Sequence, residues 1–210
     1  MITSLPNRTA VFSIDVESDY GGIGGEHYRT FADERRFGEL RSLLRDEGVE
    51  PTQFVVASIA EKHPQFVEAA ASLGGEIELH SYSHPNGPHD LEREATLGLE
   101  VFERVLGTRP RGYRSPFGRI AESDYPALKQ LGFAYSSSVF PTLRPGIANH
   151  FANSLFPEDK GDGLWELPLA CLPRLRSVLS LSYLKFFGRR SYRCAMAATG
   201  LPSILVIDSH

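Results

Sequence analysis

The chain has 210 residues, of which 23% are charged, and a formal net charge of -4 at pH 7. This length fits one domain with its own hydrophobic core, and the composition is that of an ordinary globular protein. The negative balance argues against a nucleic-acid-binding protein, which would be expected to carry an excess of Lys and Arg.

Cysteine content and apolar runs limit the class of protein further. Cys171 and Cys194 are too few for a disulfide framework or a thiolate metal site, so we expect two reduced thiols, with a disulfide between them left open. Residues 1–8 lack the features of a secretory signal, and no apolar run approaches the roughly 20 residues that span a bilayer. We therefore expect a cytoplasmic protein, with a peripheral position at a membrane surface left open.

Short β-rich runs alternate with helical stretches along the chain. The predicted strands are, in order, 9–14, 52–57, 76–79, 112–115, 133–136, 164–167 and 203–207. This alternation predicts an α/β fold with a largely parallel sheet. No linker or internal repeat interrupts it, so residues 1–210 are expected to form a single domain.

Apolar residues at helical spacing predict helices between the strands, each with one face in the core. The stripes are Phe37, Leu40, Leu43 and Leu44 in the first helix, and Leu91, Ala95, Phe102, Val105 and Leu106 in the third. The second helix is expected to begin at Pro64 and to end at Gly74.

Residues with metal-binding or acid–base chemistry follow several predicted strands. Asp15 and Glu17 follow the first strand, His80 the third, Arg114 the fourth and His210 the seventh. The carboxyl ends of parallel strands meet at one edge of a sheet, where active sites of such folds assemble. The placement therefore predicts an active site built from these side chains.

His80 and His84 stand four residues apart, and a carboxylate added to two imidazoles gives the ligand set of a catalytic zinc site. Asp15 or Glu17 would be the third ligand, and the other acid could serve as general base. Two histidines alone are equally well explained by surface polarity, so the strand-end placement carries this prediction. We expect one divalent metal, Zn²⁺ in first place, with Co²⁺ or Ni²⁺ left open.

Four segments resemble, in order, motifs of the polysaccharide deacetylase family, the chitooligosaccharide deacetylase-homology domain of carbohydrate esterase family four. They are Ser13-Ile14-Asp15-Val16-Glu17, His80 to His84, Arg114-Ser115-Pro116-Phe117-Gly118 and Ile207-Asp208-Ser209-His210. Glu166-Leu167-Pro168 resembles a segment of members that act on cell-envelope sugars. The resemblance implies a distorted (β/α) barrel of about seven parallel strands, with a closing segment expected beyond His210.

The resemblance also implies a role for each site residue. The catalytic residues would be Asp15 as base, His210 as acid and Arg114, which orients the base. The metal ligands would be Glu17, His80 and His84. The residues that bind the oxyanion and the substrate would be Pro116, Phe117 and Tyr82. Within this last group, the N–H of Phe117 is the expected oxyanion donor.

Two departures from the family pattern leave alternatives open. Val16 separates two acids that are adjacent aspartates in many members, so the roles of Asp15 and Glu17 are exchangeable and Asp19 is a further candidate ligand. The fourth motif usually carries an aspartate that tunes the catalytic acid, whereas residues 135–138 offer only hydroxyls.

The expected reaction is removal of N-acetyl groups from an amino sugar, in a polysaccharide or a lipid-linked cell-envelope glycan, with release of acetate. An N-formyl sugar or a cyclic amide suits the same site, and the departure in the fourth motif leaves open an inactive carbohydrate-binding domain. Other hydrolase signatures fit less well, since no Gly-x-Ser-x-Gly is present and the glycines of 21–25 lack the Lys-Ser/Thr of a phosphate-binding loop.

A basic segment, 172–193, bears on the substrate. Between Leu167 and Ile207 there is no acidic residue, and the six basic ones are Arg174, Arg176, Lys185, Arg189, Arg190 and Arg193. Aromatic and aliphatic residues between them predict contact with anionic lipid headgroups or a lipid-linked sugar diphosphate. A solvated face over the barrel mouth explains the same residues.

Overall fold

The computed structural model describes residues 9–18, 33–144 and 148–209. Residues 1–8, the candidate ligand Asp19, the glycine-rich stretch 21–25 and the predicted catalytic acid His210 therefore lie outside the described residues. Among the helices of the described ranges, none is long and apolar enough to cross a bilayer.

An eight-stranded sheet forms the framework of the protein. Its strands are β1 (Thr9–Val16), β2 (Thr52–Val55), β3 (Ile77–Leu79), β4 (Gly112–Tyr113), β5 (Tyr135–Ser136), β6 (Glu158–Asp159), β7 (Trp165–Glu166) and β8 (Ile204–Ser209). Their order is β6-β7-β5-β4-β3-β2-β1-β8, and neighbouring strands are parallel except β6 with β7. The seven predicted strands are confirmed, and β6 was not predicted. The sheet curls into a half-barrel, which confirms the predicted fold class.

Seven α-helices lie between the strands in the described part of the chain. They are α1 (Glu34–Asp46), α2 (Ala57–Lys62), α3 (Pro64–Ala71), α4 (Leu91–Val101), α5 (Tyr125–Gln130), α6 (Leu181–Phe187) and α7 (Arg189–Thr199). The side chain of Asp33 accepts the N–H of Arg36 at the start of α1, and Asp90 accepts that of Arg93 at the start of α4. Such caps each stabilise a helix by about 1 kcal/mol.

One face of the sheet packs against the helices and forms the hydrophobic core. Val16, Val55, Leu79 and Tyr113 are buried there with residues of α2, α3, α4 and α5. Successive side chains of a strand point to opposite faces, so Asp15, which precedes Val16, lies on the other face. The polar residues at the strand ends are thereby collected on the face that the helices do not cover.

The segment between β7 and α6 runs beside β8. The N–H of Leu169 donates to the carbonyl of Val139, and the N–H of Ala170 donates to the carbonyl of Val206. Further along, Ser180 and Asp208 form a parallel bridge. This segment therefore covers the edge strand β8 and brings the start of α6 to the end of the sheet that carries the site.

The predicted core face of α1 is wrong at Leu43, whose side chain is 58% exposed, whereas Leu44 is buried. Adjacent residues of a helix point about 100° apart, and α1 is turned so that Leu44 faces the core while Leu43 faces solvent. Both cysteines are free, with Cys171 buried and Cys194 exposed.

Gly75, in the turn before β3, provides a test of the packing. Its φ is +78°, and a Cβ there would lie 2.1 Å from the carbonyl oxygen of Pro51, whereas at Gly48, with φ +64°, a Cβ would meet nothing within 4 Å. Gly48→Ala should cost about 1–2 kcal/mol for the left-handed backbone, and Gly75→Ala about 1–3 kcal/mol more for the clash. Urea unfolding measures both, and equal losses would contradict the close approach of Gly75 to Pro51.

Candidate active site

Glu17, His80 and His84 bring three metal-binding atoms together, within 4.8 Å of one another. Glu17 Oε2 lies 2.5 Å from His84 Nε2 and 3.8 Å from His80 Nε2. We call these three residues the metal triad. Asp15 lies beside the triad, with Oδ2 3.7 Å from His80 Nε2. Two imidazole nitrogens and one carboxylate leave coordination positions for water and substrate.

The state of the His80 ring fits a metal ligand. Burial, followed by the charge of His84, lowers the pKa of His80 to about 3, so the ring is neutral at working pH. Its Nδ1 lies 2.9 Å from the carbonyl oxygen of Arg114. Because a carbonyl only accepts, Nδ1 donates the hydrogen bond and the lone pair is on Nε2, the atom that faces Glu17. An imidazole oriented in this way is the form that binds metals, so the donor set fits a divalent ion.

The loop that carries His84 contains left-handed backbone at two non-glycine residues, Ser81 (φ 61°) and His84 (φ 55°). Such residues cost about 1–3 kcal/mol each and cluster at functional sites. The N–H of His84 donates to Ser81 Oγ at 3.0 Å. Glu94 of α4 accepts the N–H groups of Tyr82 and Ser83 at 3.1 and 2.8 Å. Glu94 thus anchors the loop, a role that the sequence did not reveal.

Arg114 lies at the centre of the site and is only 1% exposed. Its Nη1 donates to Asp15 Oδ1 at 2.6 Å and to Asp208 Oδ1 at 3.1 Å. Its Nη2 donates to the hydroxyls of Ser13 and Ser137 at 3.0 and 3.1 Å, and Nε donates to the carbonyl of Ser137 at 2.9 Å. All five N–H donors of the guanidinium are therefore used. Asp15 is held through Oδ1, which leaves Oδ2 directed toward His80.

Asp208 is the residue of this cluster that the sequence analysis missed as a site residue. It is 1% exposed and shares Arg114 Nη1 with Asp15. In the fourth motif, Ser137 binds Arg114 and the hydroxyl of Ser138 accepts the N–H of Ser115. The second carboxylate on Arg114 therefore comes from β8 and not from the fourth motif. The sequence did contain a sign of this role, since Asp208 is an acidic residue in the otherwise apolar run of β8 and a buried charge needs a partner.

The turn after β4 lies against the metal triad. The ring of Phe117 is 5.0 Å from the ring of His84, and Phe117 has φ 55°. Gly118 follows with φ +65°, and a Cβ there would lie 2.7 Å from the carbonyl oxygen of Ser138. Pro116, at the start of the turn, is buried. The turn thus brings the predicted oxyanion donor, Phe117, beside the predicted metal ligands.

Tyr82 is placed differently from the other predicted site residues. Its ring packs against the hydrophobic cluster, and its hydroxyl donates to Glu61 Oε2 of α2 at 3.2 Å. These contacts fix the loop to α2, and a contact of Tyr82 with substrate stays a prediction.

Two solved structures that share the fold carry different descriptions. A protein from Mycobacterium smegmatis described as a polysaccharide deacetylase superposes with a TM-score of 0.61 at 22% identity, over 98% of this chain and 79% of that chain. An allantoinase superposes with a TM-score of 0.61 at 16% identity, over 96% of this chain and 76% of its own. At these identities the likeness shows the fold alone.

Sequence comparison gives the family. The chain is 28% identical over 143 residues to a peptidoglycan deacetylase-like protein from Gibberella zeae, covering 60% of this chain and 42% of that protein. It is 32% identical over 89 residues to a peptidoglycan-N-acetylglucosamine deacetylase from Bacillus cereus, covering 40% of this chain and 32% of that protein. The matches thus span less than half the length of these relatives. The pattern of the family "Polysaccharide deacetylase" matches residues 27–136, a little over half of the chain. Four motifs of this family also lie at one end of the sheet or in the strand that leads there. Because the family pattern matches more than half of the chain, the chain belongs to the polysaccharide deacetylase family.

Proposed function

We propose that this protein is a metal-dependent hydrolase that removes N-acetyl groups from an amino sugar and releases acetate. The observation that carries the proposal is the position of Asp15, which Arg114 holds through one oxygen while the other faces the metal triad. Hydrolysis by a metal-activated water needs a base that is near the metal without being one of its ligands. The family, together with the relatives named above, supports a sugar acetamide as the bond that is cleaved.

Each residue has one task in this proposal. Glu17, His80 and His84 would hold a divalent ion, which would supply Lewis acidity and lower the pKa of the attacking water to about 7. Asp15 accepts the proton of the attacking water, because the adjacent guanidinium of Arg114 favours its carboxylate form. The N–H of Phe117 donates to the amide oxygen as negative charge develops there. His210, in its protonated form, donates its own proton to the leaving amine, a role that rests on the family resemblance.

Zinc is the ion that we propose. Two imidazoles and one carboxylate are the ligands of several catalytic zinc sites, while Co²⁺ and Ni²⁺ accept the same nitrogen and oxygen donors.

Two alternatives use the same constellation. An N-formyl sugar or a cyclic amide offers the same kind of bond, and an inactive carbohydrate-binding domain would keep the site without turnover. We favour an enzyme because Arg114 holds Asp15, the proposed base, beside the metal triad. Incubation of the metal-loaded protein with an N-acetylated oligosaccharide separates these functions. Release of acetate identifies the deacetylase, formate from an N-formyl sugar or a ring-opened product from a cyclic amide identifies the other hydrolases, and binding without turnover identifies the inactive domain.

We also propose that the glycan is lipid-linked or lies at a membrane surface. Helix α6 exposes Phe186 (83%), Phe187 (52%) and Tyr183 (42%). With Lys185, Arg189 and Arg190 these rings form what we call the aromatic–basic surface. Interfacial aromatic rings insert at the headgroup level, and each nearby cation contributes about 1 kcal/mol toward anionic lipid. Since α6 starts beside β8, this surface begins at the end of the sheet that carries the site.

The first test concerns the metal. His80→Ala should lose the bound ion, because the remaining triad residues cannot complete the ligand set. His89→Ala, a histidine outside the triad, is the matched control and should keep one equivalent. The measurement is the metal content of each variant after dialysis, determined by mass spectrometry. A full equivalent of metal in His80→Ala would show that the ion binds elsewhere.

The second test separates the two acids of the first motif. Asp15→Asn should lower kcat by about 10²–10⁴-fold with metal content unchanged, because a base and not a ligand is lost. Asp208 still compensates Arg114 in this variant, so the fold should persist. Glu17→Gln should instead lower the metal content. The reverse pattern in kcat and metal content would exchange the roles of Asp15 and Glu17.

The third test addresses the aromatic–basic surface. Wild-type protein should co-sediment with phosphatidylglycerol vesicles more than with phosphatidylcholine vesicles, and less as salt rises, because exposed charges are screened over about 8 Å at physiological salt. Arg189→Glu with Arg190→Glu should abolish the difference. Arg41→Glu with Arg45→Glu on exposed positions of α1 makes the same change in net charge and should not. Equal binding to both lipids, or none, would exclude this surface as a membrane contact.

A further inference from the structure

Two arginine side chains converge on Phe117, the predicted oxyanion donor. The Cζ atom of Arg119 lies 4.9 Å from the centre of the Phe117 ring. Arg144 Nη1 donates to the carbonyl oxygen of Phe117 at 2.8 Å, while its Cζ lies 4.6 Å from the centre of the Phe140 ring. Burial, and to a lesser extent the charge of Arg119, lower the pKa of Arg144. Two cations therefore lie side by side at this turn.

Within the described residues, neither guanidinium forms an ion pair with a carboxylate. Nη1 of Arg119 is buried and has no hydrogen-bond partner in the part of the chain that the structure describes. Asp208 is close enough to influence Arg144, but its Oδ1 already accepts from Arg114. A buried guanidinium nitrogen without a partner is uncommon, since such groups are normally hydrogen-bonded or paired. The deeper Arg114, with all its donors used, shows the ordinary arrangement.

The arginine pair adjoins the metal triad through a single aromatic ring. The Phe117 ring contacts His84 of the triad at 5.0 Å between ring centres and Arg119 at 4.9 Å. A substrate whose acetamide oxygen accepts from the N–H of Phe117 would therefore have its neighbouring substituents close to the two guanidinium groups. Arg144 also lies near Tyr183 of the aromatic–basic surface, since the phenolate form of Tyr183 would raise the pKa of Arg144.

We propose that Arg119 and Arg144 form a binding site for a phosphate group carried by the amino-sugar substrate. This rests on the proposed function for the identity of the sugar, but the phosphate site itself does not require turnover. A guanidinium offers parallel N–H donors that match phosphate oxygens, and hydrogen bonds to charged groups are about twice as strong as neutral ones. The phosphate belongs either to a soluble sugar phosphate or to a lipid-linked sugar, and both present the same oxygens.

The direct test is binding of inorganic phosphate to metal-free protein, measured by calorimetry, because metal would bind phosphate itself. Wild type should bind phosphate, and Arg119→Gln with Arg144→Gln should weaken binding at least about tenfold. Arg41→Gln with Arg45→Gln, the same loss of charge on α1, should leave the affinity unchanged. Equal affinity in all three proteins, or none in wild type, would overturn the proposal.

Single variants separate phosphate binding from support of the turn. Arg119→Gln leaves the Arg144 hydrogen bond to Phe117 in place, so it should weaken phosphate binding without lowering the urea midpoint. Arg144→Lys keeps the charge and loses the paired donors, so its affinity should fall between wild type and Arg144→Gln. If phosphate affinity falls across these variants only when the urea midpoint falls, both arginines support the structure of the turn and do not bind phosphate.

Turnover distinguishes this proposal from the proposed function. The ratio of kcat/KM for N-acetylglucosamine 1-phosphate to that for N-acetylglucosamine should exceed about tenfold in wild type and approach one in the double Gln variant. A ratio of one in an active wild type would contradict the phosphate site. No turnover of either sugar, with arginine-dependent phosphate binding retained, would contradict only the deacetylase. If phosphatidylglycerol vesicles compete with inorganic phosphate for the site, the site binds a lipid-linked phosphate. If they do not compete, the site binds the phosphate of a soluble sugar.

Discussion

The hydrogen bonds of one buried guanidinium connect strands that are distant in sequence, and the site depends on them. Arg114 follows β4 and binds Asp15 on β1, Asp208 on β8 and Ser137 after β5. The ring of Phe54 covers the guanidinium at 4.0 Å. Loss of this cation would leave two buried carboxylates without their shared charge partner, which costs about 3–5 kcal/mol for a buried pair. The position of the proposed base therefore follows from how Arg114 is buried.

The same residue reaches the metal triad through its backbone. The carbonyl of Arg114 accepts from Nδ1 of His80 and so directs Nε2 of that ring toward Glu17. The side chain of Arg114 thus positions the proposed base Asp15, while its carbonyl orients the proposed metal ligand His80. The distance between the proposed base and the metal triad thus depends on a single residue at the end of a strand, and such fixed geometry is what preorganises a catalytic site.

The sequence predicted the features that depend on local pattern. The strands follow from runs of β-forming residues between turns. The strand-end placement predicted a metal site with His80, His84 and either Asp15 or Glu17, and the resemblance to the family implied Glu17 as the third ligand. The sequence did not predict the contact of Arg114 with Asp208, because β3, β2 and β1 lie between β4 and β8 in the sheet and the contact exists only when the sheet curls. Glu94 was missed for a related reason, since its partners are backbone N–H groups that no side-chain pattern reveals. The exposure of Leu43 also depends on how α1 is turned against the sheet, which apolar spacing alone leaves undetermined.

The central claim is that acetate release depends on one metal ion in the triad. Metal-free protein can be titrated with Zn²⁺ while acetate release from an N-acetylated oligosaccharide is followed. A rate that rises linearly and stops rising at one equivalent of zinc is the predicted result. Acetate release that is already complete in metal-free protein, or absent when one equivalent of zinc is bound, would contradict a metal-dependent deacetylase.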